Sequence, residues 1–556
     1  MVDTVPTQEY TDTFIVNEFK GLNLKDNEDY LPLGETSRAQ NFDINTTRSL
    51  SIKKGTTSLY SQFAFPSVAW RNVDFYYDRK EVPYYIGVSY PHIKLITPPS
   101  GYSRSIYSGL GGMGEGQFIK GGIGEAMWVD GTNAPVLING DGVATAVTWP
   151  PVYTNPNKGI LNESSNARAD NPVALGTDIW YPSLGVYFEG RWYLAGDPLA
   201  PTRLYASRIR SSNFADNTDS ARIDVAFFVD IMSNSPIVAM KVINNKYLVI
   251  FCRNEIHLLQ GKFPPTAISP QPTISIDVFN SDVGCIGRYA FAEKGDNDIF
   301  FISNRQSLYT LTATENFQDV RPYGLSEKVA PLFKEISIER MKRARLINNN
   351  IDGELQIWFP DDEKQYYPNK RFVFNYSQGE EAQWGEDVGF GLSLRGAFRD
   401  KSTNKLMLVD REKILEDGVG LTYDEEPIAL KYQIAPWDGG DRNRIKQILK
   451  VTIAYRLTAE TAASLIFEHA WDNQKQSGLV ERKIQPTVVA KYDDPGTRYG
   501  SATYSSNAGK PINEIDFELV NPEGKVFKAF LRCSSPGLLT IVDVKCTFRR
   551  LGRSSI

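Results

Sequence analysis

Tyr247-Leu248-Val249-Ile250 is an apolar run that ends in the polar step Cys252-Arg253-Asn254-Glu255 and resumes at Ile256 and Leu258-Leu259. The same order returns as Ile299-Phe300-Phe301-Ile302, then Asn304-Arg305-Gln306-Ser307, then Leu308, Tyr309 and Leu311. The two align without a gap, so Arg253 falls on Arg305 and Ile256 on Leu308. A looser third copy is Leu406-Met407-Leu408-Val409, Asp410-Arg411-Glu412-Lys413, Ile414-Leu415. Each copy reads as a β-hairpin, an apolar strand followed by a tight polar turn and a second strand. Hairpins that recur at a period of ~40–50 residues are the mark of propeller blades. The expectation is an all-β chain organised around a β-propeller.

Further hairpin units lie on either side of the copies. They are 68–77 with 84–96, 125–129 with 135–138, 186–188 with 191–194 and 203–205, and 345–347 with 355–359 and 371–374. Glu189-Gly190 marks a hairpin turn in the third of these. With the three copies they make seven units, spaced unevenly enough for one of them not to be a true blade. Six blades are expected, with seven as the alternative.

Residues 57–420 are assigned to the propeller, with loop insertions at 99–124 (glycine-rich) and 149–183 (rich in Pro, Asn and Ser), both read as long exposed loops. Residues 1–56 read as an N-terminal lead-in segment and closing strand, the strand being Leu50 to Thr56. Beyond Gly420 the strands at 428–434, 447–455, 515–519, 526–532 and 538–549 predict a C-terminal β-sandwich domain over 421–556. Helices are expected only at 326–342 and 458–467.

Composition narrows the function classes. The 556 residues are 41% hydrophobic and carry a net charge of −5, which argues against a surface dominated by nucleic-acid binding. Cys252, Cys285, Cys533 and Cys546 show no zinc spacing, and a disulfide framework is not expected in a chain this size, Cys533 with Cys546 being the one pair to test. His92, His257 and His469 are too few for most histidine sites. No apolar run reaches the ~18–20 residues of a membrane span, and the acidic start with Asp3, Glu9 and Asp12 is not a signal peptide. A soluble protein that folds in a reducing compartment is the expectation.

Each apparent site motif has a plainer reading. Gly109-Leu110-Gly111-Gly112-Met113-Gly114 fits GxGxxG in form, but no helix follows it, so it reads as a flexible loop that adapts to a neighbouring subunit. Asp130, Asn133, Asn139 and Asp141 read as turn residues in preference to calcium ligands. No carboxylate pair is singled out for glycoside hydrolysis, and His257 reads as packed within a strand. Arg253, Arg305 and Arg411 read as ties from turn to neighbouring blade. Arg340, Lys342, Arg343 and Arg345 form the densest basic cluster, a solvated face by its simplest reading. With Met113 and Gly114 they are the candidate inter-subunit or partner contacts. No catalytic, cofactor-binding or metal residue is expected, and no enzyme activity.

Several stretches resemble one known family. They are Phe19-Lys20-Gly21, Leu31-Pro32, Ala39-Gln40-Asn41-Phe42-Asp43 and Leu50-Ser51-Ile52-Lys53-Lys54-Gly55-Thr56. Gly190 to Gly196, Leu204-Tyr205-Ala206-Ser207, Ser212-Asn213-Phe214, Lys246 to Gln260 and Gly284 to Leu311 are also similar. The family is the tail nozzle, or packaged-DNA stabilisation (tail hub), proteins of short-tailed (podovirus-type) bacteriophages. The likeness covers 15–420 loosely. It implies a virion protein, assembled in the host cytoplasm as a homohexameric ring below the portal and adaptor. That ring extends the DNA channel, retains the packaged genome and takes part in its ejection. The implied partners are the adaptor or head-to-tail connector, tail fibre or spike proteins, and double-stranded DNA that passes without sequence-specific binding. A carbohydrate-binding or carbohydrate-cleaving propeller is the alternative.

Overall fold

The computed structural model describes residues 11–553, apart from 46, 60–68, 99, 112–113, 123, 150–180, 199, 215–225, 261–274, 296–297, 313–324, 378–382, 390, 421, 424–425, 459–461, 473–477, 487–511, 520–522 and 535–536. Within these residues the chain is nearly all strand. The repeated hairpins fall where their pattern places them. Tyr247–Cys252 pairs with Ile256–Gln260, Asp298–Ile302 with Leu308–Thr312, and Lys405–Val409 with Ile414–Asp417. Tyr247–Cys252 is buried along its whole length. A strand covered on both faces by neighbouring sheets is apolar at every position, which is why it reads as a run and not an alternation.

Six small sheets form the blades of a β-propeller, spanning 72–108, 117–146, 184–230, 237–280, 291–312 and 396–417. Interdigitated side chains seal each blade to the next. Trp128 joins Ile86 and Val88 of the first blade, Trp192 joins Met127 and Val129, and Leu204 joins Leu248 and Ile250. Phe251 meets Phe301 with centroids 5.4 Å apart. Tyr85 meets Phe398 at 4.9 Å, closing the last blade onto the first.

The seventh unit of the sequence, 345–387, stands between the fifth and last blades but is not a separate sheet. Its outer strand Gln383–Asp387 pairs with Ala39–Gln40, and through it the sheet runs on to Ala429–Trp437 and three further strands. The six blades expected are thus the six discrete sheets, and the 345–387 meander is a further radial unit carried by a larger sheet.

The second domain is a sandwich. The far half of this nine-stranded sheet faces a sheet built on Arg444–Thr458 and Leu538–Arg553. Phe467 packs on Phe517 at 5.5 Å and Trp437 on Phe548 at 4.3 Å. The sandwich extends beyond the expected 421–556, because Thr11–Val16, Ala39–Gln40, Phe42–Ile44 and Leu50–Ile52 all pair into it. Only Thr56–Ser58 leaves the lead-in segment for the propeller, where it adds the outer strand of the last blade beside Ile414–Asp417.

Two expectations are corrected. The helix expected at 458–467 is the strand Ala463–Trp471. Its Ala463, Leu465 and Phe467 point inward at alternate positions, and burying that face outweighs the helical preference of the composition. The loop expected at 99–124 holds two strands, Tyr102–Ser108 and Gln117–Lys120. Its glycines are packing sites: a Cβ at Gly116 would overlap the Trp128 indole, and one at Gly121 the Trp192 indole. The helical stretch 326–342 is present, as Glu327–Val329, Ala330–Glu335 and Ile338–Met341. The expected loop 149–183 falls almost wholly outside the described residues, as does Met113.

Finally, Cys533 and Cys546 do not form a disulfide. All four cysteines are free and buried. Burial pushes the Cys533 and Cys546 thiols up to about 12, so little thiolate forms at neutral pH. Titration with a thiol reagent is expected to find four reactive groups in denaturant and slow, partial reaction in the native protein. Finding only two in denaturant would mean that a pair is oxidised.

Candidate functional site

Two polar constellations stand out, one where the domains join and one at the propeller axis. At the junction a cleft of about 270 Å³ is lined by Asp43, Lys53, Asn349, Asp352, Glu354 and Asp417, among others. Lys53, between the sandwich strand and the closing strand, donates to Glu354 at 2.5 Å. Burial works against the Lys53 charge, but attraction from Glu354, Asp43 and Asp387 prevails and holds the ammonium above its ordinary value. Deeper still, Arg371 has no exposed side-chain surface. Its Nε donates to Asp387 at 2.9 Å and its Nη1 to Asp417 at 3.0 Å, and it lies over the Trp358 ring. Gln356 also donates to Asp417, and Trp358 Nε1 donates to Gln356. Burial raises the Asp387 carboxyl, with the Arg371 charge acting against that shift. The charges at this junction bind to each other across residues from the lead-in segment, the 345–387 meander and the last blade.

The second constellation gathers the starts of strands that line the axis. Glu115 precedes Gln117–Lys120, yet its carboxylate accepts from Arg345, the first residue of Arg345–Asn349. The Glu115 carbonyl accepts from Arg288 at 2.5 Å, and the Gly116 carbonyl from Tyr289 at 2.8 Å and Asn72 at 3.0 Å. Gln117 donates to the Gly185 carbonyl. Residues from five radial units therefore meet at one end of the axis and occupy it. Tyr366 and Tyr367 lie over this end: Tyr366 is 3.3 Å from Glu115, Tyr367 accepts from Arg71 at 2.7 Å, and Arg395 lies 3.4 Å from the Tyr367 ring centroid.

The basic cluster divides between internal contacts. Arg340 donates to the Pro360 carbonyl, Lys342 pairs with Glu339, Arg343 donates to the Glu363 and Gln365 carbonyls, and Arg345 is buried against Glu115 and the Tyr289 ring. Of these four only Arg345 is buried and departs from the reading as a solvated face; Arg340, Lys342 and Arg343 remain partly exposed. Gly114 packs against Asp130 and Thr132, with no room for a side chain. Arg253, Arg305 and Arg411 are exposed. The turns of neighbouring blades are joined instead by Asn304 donating to Asn254.

Asp130 is a turn residue, as its sequence implies. Its carboxylate accepts from the Thr132 and Asn133 backbones and from Tyr90 and Trp128. His257 is buried with Nε2 3.0 Å from Glu255. Among the described residues no three His, Cys, Asp or Glu side chains are grouped as metal ligands.

Sequence reasoning singled out Arg345 but missed Arg71, Glu115, Arg288 and Arg395. The signal was the arginine at or next to the start of an inner strand, in Arg71-Asn72, Arg345-Leu346 and Arg395-Gly396, with Arg288 in the turn that leads into Phe291–Glu293.

No protein-family model matches the chain, and no curated protein does. Solved structures do match. A chain of a mitotic checkpoint complex is 8% identical, over 66% of this chain and 93% of its own, with a TM-score of 0.32. PorZ, a surface component of the type-IX secretion system of Porphyromonas gingivalis, is 9% identical, over 68% of this chain and 43% of its own, with a TM-score of 0.34. At such identities and scores, neither likeness bears on what the chain does.

Proposed function

We propose that the chain is a structural virion protein, a subunit of a phage tail nozzle or hub. Six copies form a ring below the portal and adaptor, extend the DNA channel, retain the packaged genome and take part in its ejection. The reading starts from the sequence resemblance, and one structural observation carries it further. Glu115 and its partners fill one end of the propeller axis. A duplex therefore has no path through the blades, and a DNA channel has to be framed by several copies around a common axis.

The buried ion pairs at the junction suit this role, because they hold propeller and sandwich as one body. A net charge of −5 gives a lumen that repels phosphates and lets DNA slide. A closed ring of identical subunits uses heterologous contacts, so the two flanks of each subunit differ. Catalysis has no part in this reading. The subunit is assembled in the host cytoplasm, and its partners are its own copies, the adaptor, and fibre or spike proteins.

Native mass measurement of the purified protein tests the proposal. The expected result is a species of six 62.4 kDa chains that appears as six-fold rings by electron microscopy. A monomer that binds or cleaves polysaccharide, and loses this on substitution of one acidic residue, would overturn it in favour of a carbohydrate-active propeller.

A further inference from the structure

Arg71, Arg345 and Arg395 stand at or just before the first residues of strands that line the propeller axis, and Arg288 lies in the turn that leads into a fourth, Phe291–Glu293. Glu115 pairs with Arg345, and Asp410 lies near enough to Arg395 to pull on its charge. The mouth is therefore strongly cationic in a protein whose overall charge is negative. Arg395 is only 9% exposed, yet its Nε and Nη1 meet no hydrogen-bond partner, and neither does Nε of Arg345. Buried guanidinium nitrogens without acceptors are costly and point to an absent one. Burial lowers the Arg395 pKa, and the Arg71 charge adds to that, outweighing the opposing pull of Tyr367 and Asp410. Tyr366, Arg71 and Arg288 keep contact with solvent, so the mouth can be reached from outside.

We propose that the axis mouth is a binding site for a polyvalent oxyanion of the phosphate class, held by Arg71, Arg288 and Arg395 beside the Arg345–Glu115 pair. The guanidinium groups gathered about Glu115 and Tyr367 can serve a tetrahedral oxyanion, which offers acceptors in several directions. A planar carboxylate offers fewer, and Glu115 already fills that role on Arg345. Glu115 thus shows within the chain how the mouth receives an anion. The proposal does not depend on the nozzle reading.

Calorimetric titration of the full chain with pyrophosphate at low salt tests it, with citrate as a carboxylate probe. Pyrophosphate is expected to bind, and citrate to bind about tenfold more weakly or not at all. Arg395→Gln should weaken pyrophosphate binding at least tenfold, and Arg288→Gln, at a half-buried position, should also weaken it. Glu115→Gln removes the competing carboxylate and should tighten binding several-fold, an effect that damage to the fold would not produce. Circular dichroism establishes that each variant is folded. The proposal fails if millimolar pyrophosphate gives no binding, or if citrate binds as well as pyrophosphate. It also fails if a folded Arg395→Gln or Arg288→Gln chain binds as the parent does, or if Glu115→Gln brings no gain.

Discussion

Arg371→Leu will unfold at a much lower urea concentration than the parent chain, by an amount equivalent to roughly 3–5 kcal/mol. The substitution leaves Asp387 and Asp417 buried with their shared cation gone, and Gln356 alone still donates to Asp417. The pH dependence gives a second readout. Burial already raises the Asp387 carboxyl, and Arg371 is the largest influence opposing that shift. Without the arginine the folded-state pKa moves further above the unfolded value. A carboxyl raised in this way favours the fold below its unfolded pKa of about 3.9 and loses that contribution as pH climbs through the folded value. The deficit of the variant should therefore be smallest near pH ~4 and grow towards pH ~8. Equal midpoints for the two chains, or a deficit that shrinks as pH rises, would show that this network does not hold the 345–387 meander to the last blade.

Gly55→Ala is expected to release the strand that closes the propeller. Gly55 sits between Leu50–Ile52 of the sandwich and Thr56–Ser58 of the last blade, where the chain crosses from one domain to the other. Its N–H donates to Gly420 and its carbonyl accepts from Gly418 and Val419. A Cβ there would overlap the Thr422 carbonyl oxygen and lie 2.6 Å from the carbonyl carbon, and both belong to backbone that cannot swing aside. The expected cost is about 1–3 kcal/mol, the usual range for forcing atoms into packed space. Hydrogen exchange should quicken at Thr56–Ser58 and Ile414–Asp417, which pair with each other. Gly295, where an added Cβ meets nothing within 4 Å, provides the control: Gly295→Ala should stay within about 0.5 kcal/mol of the parent. Unchanged exchange at the closing strand in Gly55→Ala would refute the assignment.

The sequence announces its blades where a local pattern is enough. Tyr247–Cys252 and the run from Ile299 to Ile302 are apolar because sheets cover them on both faces, and their tight turns are written beside them. Local pattern also misleads. The glycines around Gln117–Lys120 read as freedom of the backbone, whereas Gly116 and Gly121 are there because indole rings fill the space a side chain would need. Partners distant in sequence leave no local trace. Nothing near Leu50 says that it pairs with the last long strand, and a lone Arg71 or Arg395 looks like any surface cation. Their meeting at the axis follows only from the order in which the ring closes.

The pairing of Leu50–Ile52 with Leu538–Arg553 has a consequence for biosynthesis. Ser51 and Thr540, hydrogen-bonded across the two strands, are 489 residues apart. A ribosome adding ~5–20 residues each second delivers the second strand roughly 25–100 s after the first. Throughout that interval Leu50–Ile52 is out on the nascent chain without its mate. Such a segment is a natural client for a holding chaperone, and the synthesis of Leu538–Arg553, not the emergence of the blades, sets the moment at which this pairing can form.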